Sequence, residues 1–391
     1  MIDLNFKPSD RLNEIPTSFF AELDDKIANF KTNTPMIDLS KGNPDLPTPQ
    51  NIVNALKKAA DDPINDAYTP FEGKASLQQA ISDFYEREYH VEIDPTTEVE
   101  IFNGAAVGIY ALPQVILNPN DIALVPDPYY PEYIPAIQLA GGHIYHCPLL
   151  AQNHYLPDYP SIPTEISDKA KLLFLNYPNN PTGAIATQTF FEKTVAFAKQ
   201  HHLIAVNDFA YASLGFDSHP LSLLQIPGAK ETAVEIYTLS KTYSMAGWRI
   251  GFAVGNADVI ASLKKYHAHV YSTVYGAVQD AAIEALSGSQ DGATKIRQAY
   301  RQRRDLFVSG LRKLQFDVQP AAGTFFVWVR APQQLTGQQF ADQLLKQAGI
   351  AVAPGIGFGK EGQQYVRFSL VHSDKTLKAV LSRLQKMEGS I

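Results

Sequence analysis

Cysteine is nearly absent from this chain: Cys147 is the only one in 391 residues. A lone thiol excludes an intramolecular disulfide and any zinc cluster built on cysteines. Cys147 reads instead as a small buried apolar side chain, and no metal site is expected. Long hydrophobic runs are also missing. No stretch approaches the roughly 18 apolar residues of a membrane span, and Met1 to Pro8 lacks a basic segment leading into an apolar core. A basic excess is absent too. Lys and Arg number 33 against 40 Asp and Glu, for a formal charge of −7. With no basic run or stripe, no nucleic-acid partner is expected. Low-complexity segments, linkers and internal repeats are not evident. The expectation is a soluble cytoplasmic protein without membrane contact.

The composition does supply a core. Hydrophobic residues make up 45% and aromatic residues 11% of the chain, which argues against global disorder. The length suits one large α/β domain with a smaller companion. Short β-rich apolar runs fall at 122–125, 171–175, 204–206, 235–239 and 250–254. Helical patterns fall between them and before them, at 49–60, 74–89, 133–139, 189–200 and 258–269. This alternation predicts a mainly parallel sheet covered by helices on both faces. Ligands of such sheets bind outside the carboxyl ends of the strands. From about residue 291 the pattern changes. A charged helix over 294–314, strands at 325–329 and 364–369, a helix over 338–348 and another from Asp374 predict a smaller α+β domain. The division expected is 1–45 as an N-terminal arm and part of the small domain, 46–290 as the large domain, and 291–391 as the small domain.

Chemistry gathers where apolar runs end. Lys241 follows the 235–239 run, with hydroxyls at Thr238 and Ser240 before it and Arg249 eight positions later. An amine there can form a Schiff base with an aldehyde cofactor beside a bound phosphate; a surface lysine among common Ser and Thr is the bland alternative. Asp208 ends the 204–206 run. A carboxylate at such a place needs a partner. A protonated pyridine nitrogen would be one, and a helix cap or salt bridge another. Tyr211, three residues on, can hydrogen-bond a ring oxygen. In Asn176-Tyr-Pro-Asn-Asn-Pro-Thr-Gly183 two prolines restrict the backbone around Asn180, whose amide can donate to a phenolate-type oxygen.

Three further segments are weaker signals. Asn103-Gly-Ala-Ala-Val-Gly108 opens a helix-compatible stretch, and a helix N-terminus suits a phosphate; a plain tight turn would read the same way. Asp127-Pro-Tyr-Tyr-Pro-Glu-Tyr133 offers loop tyrosines that stack on a flat ring or merely pack the loop. Arg367, inside Tyr365-Val-Arg-Phe-Ser369, is either solvent-facing or a fork for a carboxylate.

In joint order these segments resemble the class I/II aminotransferases, the fold-type-I enzymes that use pyridoxal 5′-phosphate. The resemblance spans essentially the whole chain. It takes in Leu39-Ser-Lys-Gly-Asn-Pro-Asp-Leu-Pro-Thr-Pro49, Tyr68-Thr-Pro-Phe-Glu-Gly73, Asn179-Asn-Pro-Thr-Gly183, Asp208 with Tyr211, Ser240-Lys241, Arg249 and Tyr365-Val-Arg367. It implies a seven-stranded, mainly parallel sheet between helices, plus a smaller α+β domain. It also implies roles. Lys241 would bind the cofactor aldehyde and shuttle the proton. Asp208 would pair with the pyridine nitrogen, Asn180 and Tyr211 would bind the phenolic oxygen, and Tyr130 would stack on the ring. The amides of Ala105 and Ala106, with Thr238 or Ser240 and Arg249, would hold the phosphate. Tyr68 would reach the phosphate of a neighbouring subunit, implying a homodimer with shared sites. Arg367 would fork the substrate α-carboxylate, helped by Gly42 and Asn180.

Two departures stand out. Family members often carry a hydroxyl residue in the phosphate turn, where this chain has Ala105 and Ala106, and Lys41 before Gly42 has no evident role beyond that of a surface lysine.

The segments around Asp208 and Lys241 resemble a branch that holds methionine-salvage, diaminopimelate and alanine aminotransferases. An aromatic distal pocket of Phe19, Phe20, Tyr68, Tyr271, Tyr275 and Phe358 would favour a neutral, methionine-like amino acid as partner to a 2-oxo acid; these rings would otherwise be core. A C–S β-lyase, or an aminotransferase for diaminopimelate, alanine or aspartate, is the alternative. A Rossmann dehydrogenase is not, because no Gly-x-Gly-x-x-Gly follows a strand.

Overall fold

Successive residues of the central strands point to opposite faces of one sheet, and both faces are buried. Leu172, Phe174, Val206, Val234 and Ile236 enter one apolar cluster. Their chain neighbours Leu173, Leu175, Ala205, Ala233 and Tyr237 enter another. The computed structural model describes residues 6–31, 34–332 and 334–387; the outer parts of the N-terminal reading and of the two terminal segments lie outside these.

The sheet has seven strands, in the order Val99–Phe102, Gly251–Gly255, Ala233–Thr238, Ile204–Asp208, Ala170–Leu175, Ile122–Asp127, His143–Pro148. Neighbours run parallel except at Gly251–Gly255, which is antiparallel to both of its partners. Helices Ala105–Ile116, Tyr133–Leu139 and Ala257–Val270 cover one face. Helices Ala75–Tyr89, Gln188–His201 and Gly276–Ser287 cover the other. The class expected, a mainly parallel seven-stranded sheet between helices with a smaller α+β part, is the one found.

A three-stranded antiparallel sheet has Tyr365–Ser369 at its centre, between Ala353–Pro354 and Phe326–Arg330. Side chains of Asp291–Lys313 and Asp374–Met387 share its apolar cluster. The N-terminal segment joins this part of the molecule. Leu23 and Ile27 of helix Phe19–Ala28 pack with Trp328, Ala351 and Phe358, and Ile37–Asp38 runs parallel to Ile350–Ala351.

Several boundaries differ from the sequence reading for identifiable reasons. The strand read at 235–239 is Ala233–Thr238, because Thr238 caps a helical turn, Leu239–Thr242, accepting from the Ser240 N–H at 3.2 Å. The helix read at 338–348 is α-helical over Gly337–Gln343 and closes in a π-turn, Leu344–Ala348. Two strands of the large sheet escaped the pattern, as did the two-residue strands Ile37–Asp38, Ile350–Ala351 and Ala353–Pro354. His143–Pro148 is an edge strand with exposed His143 and His146. In Val99–Phe102 a glutamate, Glu100, interrupts the apolar run; it is buried against His267 Nδ1.

Candidate active site

A cleft of about 350 Å³ opens at the carboxyl ends of the central strands. Strand Ile204–Asp208 delivers Asp208 as its last residue, and the helical turn after Ala233–Thr238 delivers Lys241. The loop after Ala170–Leu175 delivers Asn180, and the N-terminus of Ala105–Ile116 delivers Ala105 and Ala106. Arg367 reaches the same cleft from the central strand of the smaller sheet. Tyr130, Tyr211, Thr238, Ser240, Arg249 and Gly42 complete the set of expected residues that line it. Tyr68 is the exception; it is 98% exposed.

Asp208 is buried. Its Oδ2 accepts a 2.8 Å hydrogen bond from the Tyr133 hydroxyl, while Oδ1 is buried with no partner among the described residues. Burial pushes its carboxyl up to about 6, against the opposing pull of the Tyr133 bond, the Ala210 N–H and the Lys241 charge. A cap or salt bridge does not account for this aspartate. Asn176 braces it, with Nδ2 donating to the Asp208 carbonyl at 2.6 Å and Oδ1 accepting the Asn180 N–H at 2.7 Å.

Lys241 Nζ donates to the Gly42 carbonyl at 2.9 Å. Burial lowers the amine to about 8, assisted by the charges of Arg367 and Arg249, with Asp208 opposing. An amine so shifted is free base in about a tenth of molecules at pH 7, far more than an ordinary lysine.

Arg367 is 1% exposed, which excludes the solvent-facing reading. Nη1 donates to Asn180 Oδ1 at 2.9 Å and Nη2 to the Ser40 carbonyl at 2.7 Å. The Phe326 ring centre lies 3.8 Å from its guanidinium carbon, and those of Phe358 and Phe20 lie 4.7 and 5.4 Å away. Burial lowers its pKa to about 10, so it stays charged at neutral pH. Asn180 Nδ2 and the Tyr211 hydroxyl, both at the cleft, make no hydrogen bond among the described residues.

Arg249 closes the phosphate-sized end. It has a left-handed backbone, φ 55°, and donates to the Ala246 carbonyl at 2.9 Å. Its guanidinium lies against Gly104, the residue before the helix, where φ is +93° and a Cβ would meet Nη2 at 2.4 Å. Only glycine combines that backbone with that approach. Thr238 Oγ1 donates to Ser240 Oγ at 3.0 Å alongside.

The aromatic pocket expected around the far end needs correction. Of the six rings, only Phe20 lines the cleft among the described residues. Phe19 and Phe358 belong to the apolar cluster beneath the N-terminal helix, where Phe19 packs on Phe358 at 5.6 Å. Tyr271 packs on Tyr266 at 6.1 Å, and Tyr275 is 48% exposed. Phe326 supplies the second ring; in sequence it was only part of a strand. Lys41 lines the cleft as well as meeting solvent, and pairs with Asp24 Oδ1 at 3.1 Å. Tyr133, Asn176 and Gly104 were also missed as functional positions, although their motifs were singled out. Cys147 is buried in the core, its thiol pushed up to about 12 by burial.

An idle buried carboxylate oxygen, an amine of lowered pKa and a helix N-terminus beside an arginine suit a flat, protonated heteroaromatic aldehyde bearing a phosphate. A buried forked guanidinium beside them suits an amino-acid carboxylate. That set defines a cofactor-dependent enzyme of amino-acid chemistry.

The comparisons with known proteins agree. The family described as "Aminotransferase class I and II" matches residues 34–384. The chain is 46% identical to L-glutamine--4-(methylsulfanyl)-2-oxobutanoate aminotransferase of Bacillus subtilis (strain 168), over 98% of this chain and 97% of that one. It is 42% identical to an LL-diaminopimelate aminotransferase of Aquifex aeolicus (strain VF5), over 98% and 100% of the two chains. The solved apo-BacF structure from Bacillus subtilis superposes with a TM-score of 0.94 at 43% identity, over 98% of each chain. The chain belongs to the class I and II aminotransferases, transferases of fold type I that depend on pyridoxal phosphate.

Proposed function

We propose that the protein moves an amino group between an L-amino acid with a neutral, methionine-like side chain and a 2-oxo acid. One observation carries the choice of side chain. Besides Lys241, the cations lining the cleft are Arg367, Arg249 and Lys41. Arg367 is suited to the α-carboxylate, Arg249 lies at the phosphate end, and Lys41 is already paired with Asp24. No cation among the described lining residues is left for a second carboxylate, which disfavours aspartate and glutamate. Similarity to the methionine-type relative supports the same reading, and similarity to the LL-diaminopimelate enzymes supports a second.

Bound in this cleft, pyridoxal phosphate supplies a ring that takes up negative charge from the substrate α-carbon. The chain's own residues would do the rest. Asp208 Oδ1 accepts from the ring nitrogen and keeps it protonated. Tyr211 and Asn180 Nδ2 donate to the ring oxygen, and Tyr130 stacks on the ring. The Ala105 and Ala106 amides, Thr238, Ser240 and Arg249 hold the phosphate; alanines in that turn leave only backbone donors there. Arg367, with Gly42 and Asn180, fixes the substrate carboxylate. Lys241 would hold the cofactor at its aldehyde and would serve as the base that moves the substrate α-proton.

The remaining expectations are part of the proposal. Tyr68 would belong to a partner's site: Ile64 and Phe71, near it in sequence, are 71% and 59% exposed, and a homodimer would cover such apolar side chains. The division into 1–45, 46–290 and 291–391 is part of the same proposal, supported by the separate seven-stranded and three-stranded sheets, and the cytoplasm is the proposed compartment. No described helix is long and apolar enough to cross a membrane.

The test is spectroscopic and kinetic. The cofactor's visible band should bleach on adding methionine and return with a 2-oxo acid, and kcat/KM should rank methionine, leucine or phenylalanine above aspartate and glutamate. Faster turnover of aspartate or glutamate sinks the neutral-donor reading. Pyruvate and thiol from cystathionine without added oxo acid would identify a C–S β-lyase.

A further inference from the structure

We infer that Asp127 is a positioning residue for the reaction. It ties the loop that carries Tyr130 to the loop that carries Phe358, and so holds the cofactor's stacking partner in register with the aromatic wall of Arg367. The inference rests on the roles proposed above for Tyr130 and Arg367 and adds the residue that joins them.

Asp127 is the last residue of strand Ile122–Asp127 in the seven-stranded sheet, and it is buried. Its carboxylate reaches across to the segment that leads into the smaller sheet. Oδ2 accepts from the Lys360 N–H and Oδ1 from the Glu361 N–H, each at 3.1 Å. These amides open the turn Lys360–Gly362, which precedes the central strand Tyr365–Ser369. Such a turn is ordinarily capped by the side chain of the residue before it. Here that residue is Gly359, which has none. Its φ is +122°, and a Cβ there would lie 2.1 Å from Asp127 Oδ1. The local cap is vacated, and a carboxylate 233 residues away in sequence takes its place. A third bond runs along the same seam, from the Tyr129 N–H to the Phe358 carbonyl at 2.7 Å.

A site residue adjoins the seam on each side. Tyr130 follows Tyr129 and lines the cleft. Phe358 precedes Gly359 and is fully buried, its ring centre 4.7 Å from the Arg367 guanidinium carbon. Three hydrogen bonds thus fix the backbone of one segment against that of the other within a residue or two of both rings. A serine at position 359 would cap the turn and leave the two segments free of each other. A cap drawn from the other sheet does both jobs at once. The wall behind Arg367 then cannot shift without pulling on the loop that carries Tyr130. Because Arg367 takes the α-carboxylate common to all amino-acid substrates, the effect of Asp127 falls on every donor alike.

The experiment compares wild-type holoenzyme with two variants that open the seam from opposite sides. Asp127→Asn keeps one acceptor oxygen and turns an NH2 toward the other N–H. Lys360→Pro keeps the aspartate and deletes one donor, at a first-turn position that tolerates proline; it reads the same seam should Asp127→Asn fail to fold. KM and kcat are measured for methionine, leucine and phenylalanine, and calorimetry gives the dissociation constant of hexanoate, a carboxylate with an apolar tail and no amine. Loss of one charge-assisted bond is worth about tenfold. KM for all three donors and the hexanoate constant should rise together by about that factor, with kcat changing far less. Combining Asp127→Asn with Phe358→Leu should cost no more than the worse single change, because both act on one contact. Three results overturn the proposal: unmoved KM and hexanoate binding with only a lower thermal midpoint, strictly additive losses in the double variant, or a loss confined to kcat. An Arg367→Gln enzyme with unmoved KM would instead sink the carboxylate reading on which this one rests, a result distinguishable from any of the three.

Discussion

Tyr133 binds one oxygen of Asp208 and leaves the other bare: the hydroxyl sits 2.8 Å from Oδ2, while buried Oδ1 has no partner among the described residues. A buried carboxylate half satisfied in this way is costly by itself and awaits a donor. The tyrosine orients the carboxylate and leaves the oxygen that would serve the cofactor free.

Replacing Asp208 with Asn keeps the shape and removes the charge. We expect kcat to drop about 10²- to 10³-fold, the usual loss when one preorganised charge partner is removed. Steady-state kinetics under saturating cofactor measure it, and a rate near wild type would remove Asp208 from the machinery.

The same group makes cofactor-free protein sensitive to pH. Its folded pKa, about 6, lies above the roughly 3.9 of an unfolded aspartate. The fold therefore favours the protonated form. That stabilisation is full below about pH 4 and is lost as pH rises through about 6. Urea midpoints of the apoenzyme across that range should decline more steeply in wild type than in Asp208→Asn, which keeps the share from buried Glu235, pushed up to about 7 by burial.

Arg367 is the largest charge depressing Lys241, after burial itself. Substituting Arg367→Gln should raise the lysine from about 8 toward its ordinary value. The pH midpoint for capture of cofactor aldehyde by the apoenzyme should move upward accordingly. An unmoved midpoint would show that the Arg367 charge does not set the amine.

Gly104→Ala places a methyl 2.4 Å from Arg249 Nη2 on a backbone with φ +93°. Strain of about 1–3 kcal/mol is expected, enough to weaken cofactor binding by about 5- to 150-fold. Titration of cofactor into apoenzyme reads the dissociation constant directly.

Cys147 should resist alkylation in native protein, because its thiol is buried and pushed up to about 12. Labelling only after denaturant is added is the expected result; rapid native labelling would contradict its burial.

Much of the site was legible in one dimension because its residues stand at the ends of apolar strands. Asp208 and Lys241 could be placed by counting from runs whose burial the residues themselves dictate, and Arg367 lay inside a clear β-pattern. Local chemistry also marked the turn around Asn180 and the helix start at Ala105. What stayed hidden depends on contacts between distant segments. Whether Tyr133 or its neighbour Tyr130 would meet Asp208 is decided by helix packing 75 residues away. Arg367 could have faced water until the smaller sheet folded it against Phe326 and Asn180. Aromatic residues do not announce their partners, so Phe358 read as pocket and proved to be core, with half-buried Phe19 packed against it. Lys41 looked like an ordinary surface lysine, and only the packing of helix Phe19–Ala28 set Asp24 beside it at the cleft. Sequence alone determined the class of fold and the candidate reactive groups, since periodicity and strand ends are local properties. Tertiary structure decided which oxygen stays bare, which charges meet and what the far end of the cleft presents, because each depends on segments that only the folded chain brings together.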